Sequence, residues 1–273
     1  MSITEITKER RNNIMGNKID RVGERNVNNF GNEMVIIEYR NNKDIDVYFP
    51  RYDWTAKNKQ YSKFKNGSVK CPYEKTVYGV GYFGEGKYKA SENSKDTRIY
   101  TTWYDMMQRC YSEKEHKKHP TYKYCEVSEK FHNFQNFGDW DKDNYYTIDG
   151  ERMELDKDIL VKHNKIYSPE NCIYVPHTIN TLFVKSDKIR GKSAIGTYQD
   201  KHGKYQVHCH LINPETRKSK YEYLGYYETE LEAFKVYKYH KERNIKEVAD
   251  YFKKQISEIL YNGLYEYEVE ITD

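Results

Sequence analysis

The sequence predicts a modular α+β protein: a small β-rich module at the N-terminus, a mixed central block, and a three-stranded antiparallel sheet plus helix at the C-terminus. Three observations predict it. Runs of β-type residues bounded by turn residues occupy both ends of the 273-residue chain, while the middle carries apolar residues at helical spacing. Only 37% of the residues are hydrophobic and 29 are Tyr, which argues against one large aliphatic core and for small modules built on aromatic rings. No run approaches the ~18–20 apolar residues of a membrane span, and the charged N-terminus lacks the apolar stretch of a secretory signal. The chain is therefore expected in the cytoplasm, with no membrane partner. Cys71, Cys110, Cys125, Cys172 and Cys209 form no C-x-x-C pair and read as buried reduced thiols.

Residues 1–19, with Arg10, Arg11 and Lys18, read as a flexible polar arm. Within residues 20–72, the runs 34–39 and 45–49 are strands joined by a turn at 41–44, and 64–69 reads as another turn and strand. Such a module either keeps the chain soluble or contacts DNA. Residues 73–96 form a Gly- and Tyr-rich connector. Its Gly-x-Gly runs lack the strand-to-helix context of a phosphate loop. The central block, 97–185, opens on a helix over Arg98–Tyr111 that places Ile99, Trp103, Met106, Met107 and Cys110 on one face. Phe131, Phe134, Phe137 and Trp140, three apart, suggest a second helical ridge. In 193–273, the runs 194–198, 204–212 and 221–227 read as strands, with turns at 200–203 and 213–216. Thr229 and Glu232 form a capping box that starts a helix. A further helix carries Ile245, Val248, Ala249, Phe252, Ile256 and Leu260, and Gly263 sits just past its end.

The strand over 204–212 alternates. Tyr205, Val207, Cys209 and Leu211 point toward the following helix, and Lys204, Gln206, His208 and His210 point away from it. The whole chain has a formal charge of only +4, but residues 181–220 hold nine Lys and Arg against three Asp and Glu. Lys and Arg release counterions at phosphates, and Gln, Arg and His reach base edges, so a basic polar sheet face suits a DNA groove. The alternative is a merely solvated face. The runs Ile195-Gly-Thr-Tyr, Lys204-Tyr-Gln-Val, Tyr223-Leu-Gly-Tyr-Tyr-Glu-Thr229 and Glu232-Ala-Phe resemble the APETALA2-type DNA-binding domain, in the version appended to phage and mobile-element endonucleases. The resemblance implies three antiparallel strands backed by a helix and double-stranded DNA as the partner. It also implies Lys192, Lys204, Gln206, His208, His210, Arg217 and Lys220 as DNA contacts.

In the central block, Met153-Glu-Leu-Asp-Lys-Asp-Ile-Leu160 followed by Asn164-Lys-Ile-Tyr-Ser-Pro-Glu-Asn-Cys-Ile-Tyr-Val-Pro-His-Thr-Ile-Asn180 resembles the HNH, or His-Me finger, nuclease motif. The resemblance implies a ββα-metal (HNH-like) finger in which Asp156 and Asn180 hold one Mg²⁺ or Mn²⁺ ion. Asn171 would orient the base or brace the loop. Phosphodiester hydrolysis needs a base to activate water and a cation to stabilise developing charge, and hard oxygen donors suit such ions. Where the family carries its His base, this chain has Lys157. A lysine amine is protonated at neutral pH unless its surroundings lower its pKa. His163 in the intervening loop and His177 on the final turn are the alternative bases. Trp103-Tyr-Asp-Met-Met-Gln-Arg-Cys-Tyr111 and Phe134-Gln-Asn-Phe also resemble the leader of a phage-borne HNH group. The resemblance thus implies a metal-dependent endonuclease acting on duplex DNA in the infected host cell, or a catalytically inactive DNA-binding descendant of one.

Overall fold

The computed structural model describes residues 20–184, 193–271 and 273. The N-terminal arm and the candidate DNA contact Lys192 lie outside the described residues. The chain divides into two compact units, Met1–Ser112 with Phe131–Gly138, and Glu113–Lys130 with Asp139–Asp273.

The first unit is built on a four-stranded antiparallel meander, β1 (Arg25–Val27), β2 (Glu33–Asn41), β3 (Asp44–Phe49) and β4 (Trp54–Lys59). Along β3 buried residues alternate with half-buried ones, so Ile45, Val47 and Phe49 join Met34 and Ile36 in one core. The turn after β2 closes where expected, with Asn41 paired to Asp44. The expected turn and strand over 64–69 is instead a helical turn, α1 (Tyr61–Lys65), followed by Gly67 at φ +72°. Phe64 anchors it, fully buried against the meander, with Tyr61 packed beside it. The Asn26 side chain donates to the carbonyls of Phe64 and Lys65, at 2.7 and 3.1 Å, and so satisfies the helix end.

The connector is part of this unit rather than a free link. Glu74 is buried and accepts hydrogen bonds from Asn28, from Asn32 (2.9 Å) and from the Cys71 N–H (3.1 Å). Glu74→Ala strands those buried donors and is expected to cost about 2–3 kcal/mol, read as a lower urea midpoint. The short strands β5 (Ser91–Glu92) and β6 (Lys95–Asp96) lead into α2 (Arg98–Tyr111), whose first turn is capped by the Thr97 hydroxyl. Trp103, Met106, Met107 and Cys110 are buried as the spacing predicts. Gly81 lies so close that a Cβ there would stand 2.9 Å from the Trp103 ring.

The second unit includes α3 (Glu113–Lys118) and β7 (Glu126–Val127). The chain passes between the units along α4 (Glu129–His132) and α5 (Phe134–Asn144). The expected single aromatic ridge is interrupted at Asn133, whose backbone bridges to Tyr82. Phe131, Phe134 and Phe137 are fully buried in the first unit. Trp140 belongs to the second, where its indole N–H donates to the Pro169 carbonyl at 3.2 Å.

Then follow β8 (Met153–Asp156), β9 (Ile166–Tyr167), β10 (Ile173–Pro176) and α6 (His177–Thr181). The rest comprises β11 (Thr197–Gln199), β12 (Tyr205–Asn213), β13 (Lys218–Tyr227), α7 (Glu230–Phe252) and α8 (Glu258–Tyr265). Strands β8 and β10 pair antiparallel, β9 pairs parallel with β7, and β11–β12–β13 form an antiparallel three-stranded sheet. The boundary between the expected 97–185 and 193–273 modules dissolves here. Val175, Ile179 and Leu182 share one core with Val207, Cys209, Phe234, Val248 and Phe252. The two helices expected after Thr229 are one helix of 23 residues, started by the complete Thr229–Glu232 capping box. Gly263 lies inside α8, not past a helix end. All five cysteines are buried free thiols. Among the described residues no helix is long and apolar enough to cross a membrane.

Candidate functional site

Two features of the second unit carry the predicted site residues. The first is the hairpin β8–β10 with α6. From Leu155 onward its chain alternates, with Leu155, Lys157 and Ile159 buried and Asp156 and Asp158 half-buried. Asp156 Oδ1 accepts from the N–H groups of Asp158 (2.8 Å) and Ile159 (2.7 Å), which turns the chain at the strand end. Burial, with the charge of Asp158, pushes the Asp156 carboxyl up to about 6. Its proton is thus held more tightly in the folded chain than at the unfolded value of ~3.9. The stability that this proton supplies is complete below that value and is lost as pH rises through about 6. Asp156→Asn keeps the acceptor and removes the charge. It is expected to be more stable than wild type at pH 7 by on the order of 1–2 kcal/mol, with the gap closing toward pH 4. Thermal melts across that range check it.

Lys157 does not meet the requirements of a base. Its side chain is 6% exposed, and Nζ lies 3.0 Å from Asp158 Oδ2 and 5.6 Å above the Tyr167 ring. Burial presses its pKa down, but the Asp158 carboxylate outweighs burial, and the net direction is up. A catalytic amine needs the opposite. Asn171 braces the loop: its amide donates to Asn164 Oδ1 at 3.4 Å. Asn164 in turn spans the loop by donating to the carbonyls of Lys157 (2.7 Å) and Ile166 (2.8 Å). His163 is exposed and lies 3.4 Å from Glu270, while the neighbouring Lys162 ammonium already serves Glu270 and Asp273.

Asp156 and Asn180 make separate contacts. No hydrogen bond joins Asp156 to Asn180 among the described residues. The Asn180 amide donates instead to Glu154 Oε2. Glu154 Oε1 lies 2.9 Å from His177 Nδ1 and accepts from Arg152. Burial opposes ionisation of Glu154, and the hydrogen bonds from Asn180, His177 and Arg152 overcome it, so the carboxyl titrates below its usual range. Asp156 Oδ1 is thus committed to the turn, and the Asn180 amide nitrogen to Glu154. Glu154 is the group that sequence reasoning missed. Two residues before Asp156 on the strand, it shares that residue's face, and strand alternation could have found it.

The second feature is the outer face of the sheet. Cross-strand partners in register share a face. Gln206 pairs with Tyr198 and Tyr226, His208 with Tyr223, and His210 with Tyr221. Tyr198, Tyr221, Tyr223 and Tyr226 are 61, 58, 56 and 42% exposed. The His208 ring stacks on Tyr221 with centroids 4.8 Å apart and planes 10° apart, and the His210 ring centroid lies 4.7 Å from that of Tyr221. Gln206 donates to the Tyr226 hydroxyl at 3.2 Å, and Tyr226 donates to Asp200. His208 Nδ1 is buried and has no hydrogen-bond partner among the described residues.

The expected basic platform is therefore an aromatic and imidazole one. Lys204 pairs with Glu228 at 2.5 Å. Lys220 is in register with Leu211, on the opposite face from His208 and His210, and lies 3.5 Å from Glu222. Arg217 is turned into its own unit, 3.0 Å from Glu151 and donating to the Asp149 carbonyl at 2.7 Å. Tyr226 was missed because a bulge intervenes, whereas Tyr198, Tyr221 and Tyr223 follow ordinary cross-strand register. Val207 pairs with Gly225 and His208 with Tyr223, so Leu224 is the extra residue. The bulge, with Gly225 at φ +120°, brings Tyr226 to the same face as Tyr221 and Tyr223. Strict alternation would have sent it to the other side. The chain matches no protein-family model, and no curated protein or solved structure is significantly similar to it.

Proposed function

We propose that the chain is a DNA-binding protein whose ββα hairpin is structural, rather than a nuclease that uses Lys157. One observation carries the reading. The outer sheet face offers Gln206, His208, His210 and four exposed tyrosines to solvent with no segment of the described chain laid across it. These side chains donate, accept and stack, which base recognition requires. The buried, Asp158-paired ammonium of Lys157 supports the non-cleaving half of the reading.

The test is retardation of labelled DNA, single- and double-stranded, at low and raised salt. A salt-dependent shift that weakens in Gln206→Ala and His208→Ala is expected. Absence of any shift at low salt would remove the reading. Lys157→His is expected to create no cleavage, because position 157 lies on the buried side with Leu155 and Ile159. Appearance of plasmid nicking in that variant would contradict a structural role for the hairpin.

A second reading, hydrolysis of the DNA backbone, is favoured by one specific arrangement. Glu154 lies 2.9 Å from His177 Nδ1, and a carboxylate so placed can orient an imidazole whose other nitrogen then accepts a proton. This reading requires nicking by the wild-type protein that disappears in His177→Ala and persists in Lys157→Met.

A further inference from the structure

The outer sheet face has a property that duplex recognition does not need. Its central outward positions are rings, not cations: Tyr198, Tyr221, Tyr223 and Tyr226 with His208 and His210. On the opposite face of the same strand Val207 and Cys209 are 0 and 1% exposed. The sheet therefore has a conventional core side, and its aromatic side is a contiguous exposed patch of the kind that marks an interaction surface. Ring–ring contacts hold it in place, His208 to Tyr221 at 4.8 Å and to Tyr223 at 5.3 Å. Little side-chain entropy is then left to lose on binding.

The charges fit the same partner. Lys201 stands at the turn between β11 and β12, where Lys204 is taken by Glu228, and Lys218 stands at the far end of the β12–β13 hairpin, in register with Asn213. Lys201 and Lys218 are exposed, and no carboxylate pairs with either among the described residues. Cations at both ends of a ring-lined track suit a polyanion that lies along it with its flat groups down. In a duplex the faces of the bases are covered by their neighbours, and only groove edges are offered. In a single strand the faces are free.

We infer that the β11–β12–β13 face is a stacking platform for the unpaired bases of single-stranded DNA, with Tyr221 and Tyr223 at its centre. This rests on the DNA-binding reading above and specifies which state of the DNA is bound. Stacking is sequence-tolerant because every base has a π-face, so the platform binds strands with little regard for sequence. Gln206 and the tyrosine hydroxyls add hydrogen bonds at the base edges.

The test is fluorescence anisotropy of the full chain with a labelled thymidine oligonucleotide of about 12 residues, and with a duplex of the same length. The single strand is expected to bind at least roughly tenfold more tightly than the duplex. Tyr221→Ala with Tyr223→Ala is expected to lose at least roughly tenfold in single-strand affinity, while Tyr221→Phe with Tyr223→Phe retains it. Both tyrosines are solvent-exposed, and equal melting temperatures will show that the variants fold. Binding of duplex as tight as single strand, or no loss in the alanine variant, overturns the platform and leaves the DNA-binding reading standing. Binding of neither form at low salt overturns both.

Discussion

Gly196→Ala is expected to lose at least about 4 kcal/mol of the stability of the second unit. Gly196 has φ +74°, where an L-residue costs about 1–2 kcal/mol. A Cβ on this backbone would lie 1.9 Å from Tyr237 Cδ2 and 2.4 Å from its Cγ. Those atoms are near the root of a side chain that is 7% exposed and anchored on α7, so a change of rotamer at a free tip cannot relieve the overlap. The Gly196 carbonyl also accepts from the His208 N–H at 2.9 Å, so moving the backbone would disturb the aromatic face. Far-UV melting measures the loss, and Gly196→Ala with Tyr237→Ala should recover part of it. An unchanged midpoint in the single variant would show that the sheet and α7 do not pack as described.

Trp103→Ala is expected to cost the first unit about 3–5 kcal/mol. Trp103 is fully buried, with its ring 5.4 Å from Phe134 and 6.1 Å from Phe83. Its indole N–H donates to the Phe131 carbonyl at 2.7 Å, so truncation leaves both a cavity and an orphaned acceptor. In a chain with so few aliphatic residues the aromatic cluster has no substitute. Trp103→Phe, which keeps the ring and loses the donor, should cost clearly less. A urea midpoint for Trp103→Ala equal to wild type would contradict the aromatic core.

Much of the fold was legible because local signals agreed with packing. The turn residues around Asn42 marked the β2–β3 hairpin, Thr229 and Glu232 marked the start of α7, and the spacing of Trp103, Met106, Met107 and Cys110 marked the buried face of α2. What was missed depended on partners distant in sequence. Phe64 forms a helical turn because Asn26 caps it from 38 residues away. Arg217 reads as a DNA contact until Glu151 and the Asp149 carbonyl are seen to take it. At the hairpin, the residue types at 156, 171 and 180 were legible, but their connections were not. Asn171 reaches Asn164 and Asn180 reaches Glu154, contacts that the residue types alone do not specify. Of the platform tyrosines, Tyr226 reaches its face only through the bulge at Leu224, which no alternation rule anticipates.

The central claim is that this chain holds DNA without using Lys157 to cut it. Incubation of the full chain with supercoiled plasmid in the presence of Mg²⁺ or Mn²⁺ tests it most directly, with gels run before and after removal of protein. The account predicts a retarded plasmid that returns to the supercoiled position once the protein is digested. Nicked circles that form with wild type and vanish with Lys157→Met would contradict it.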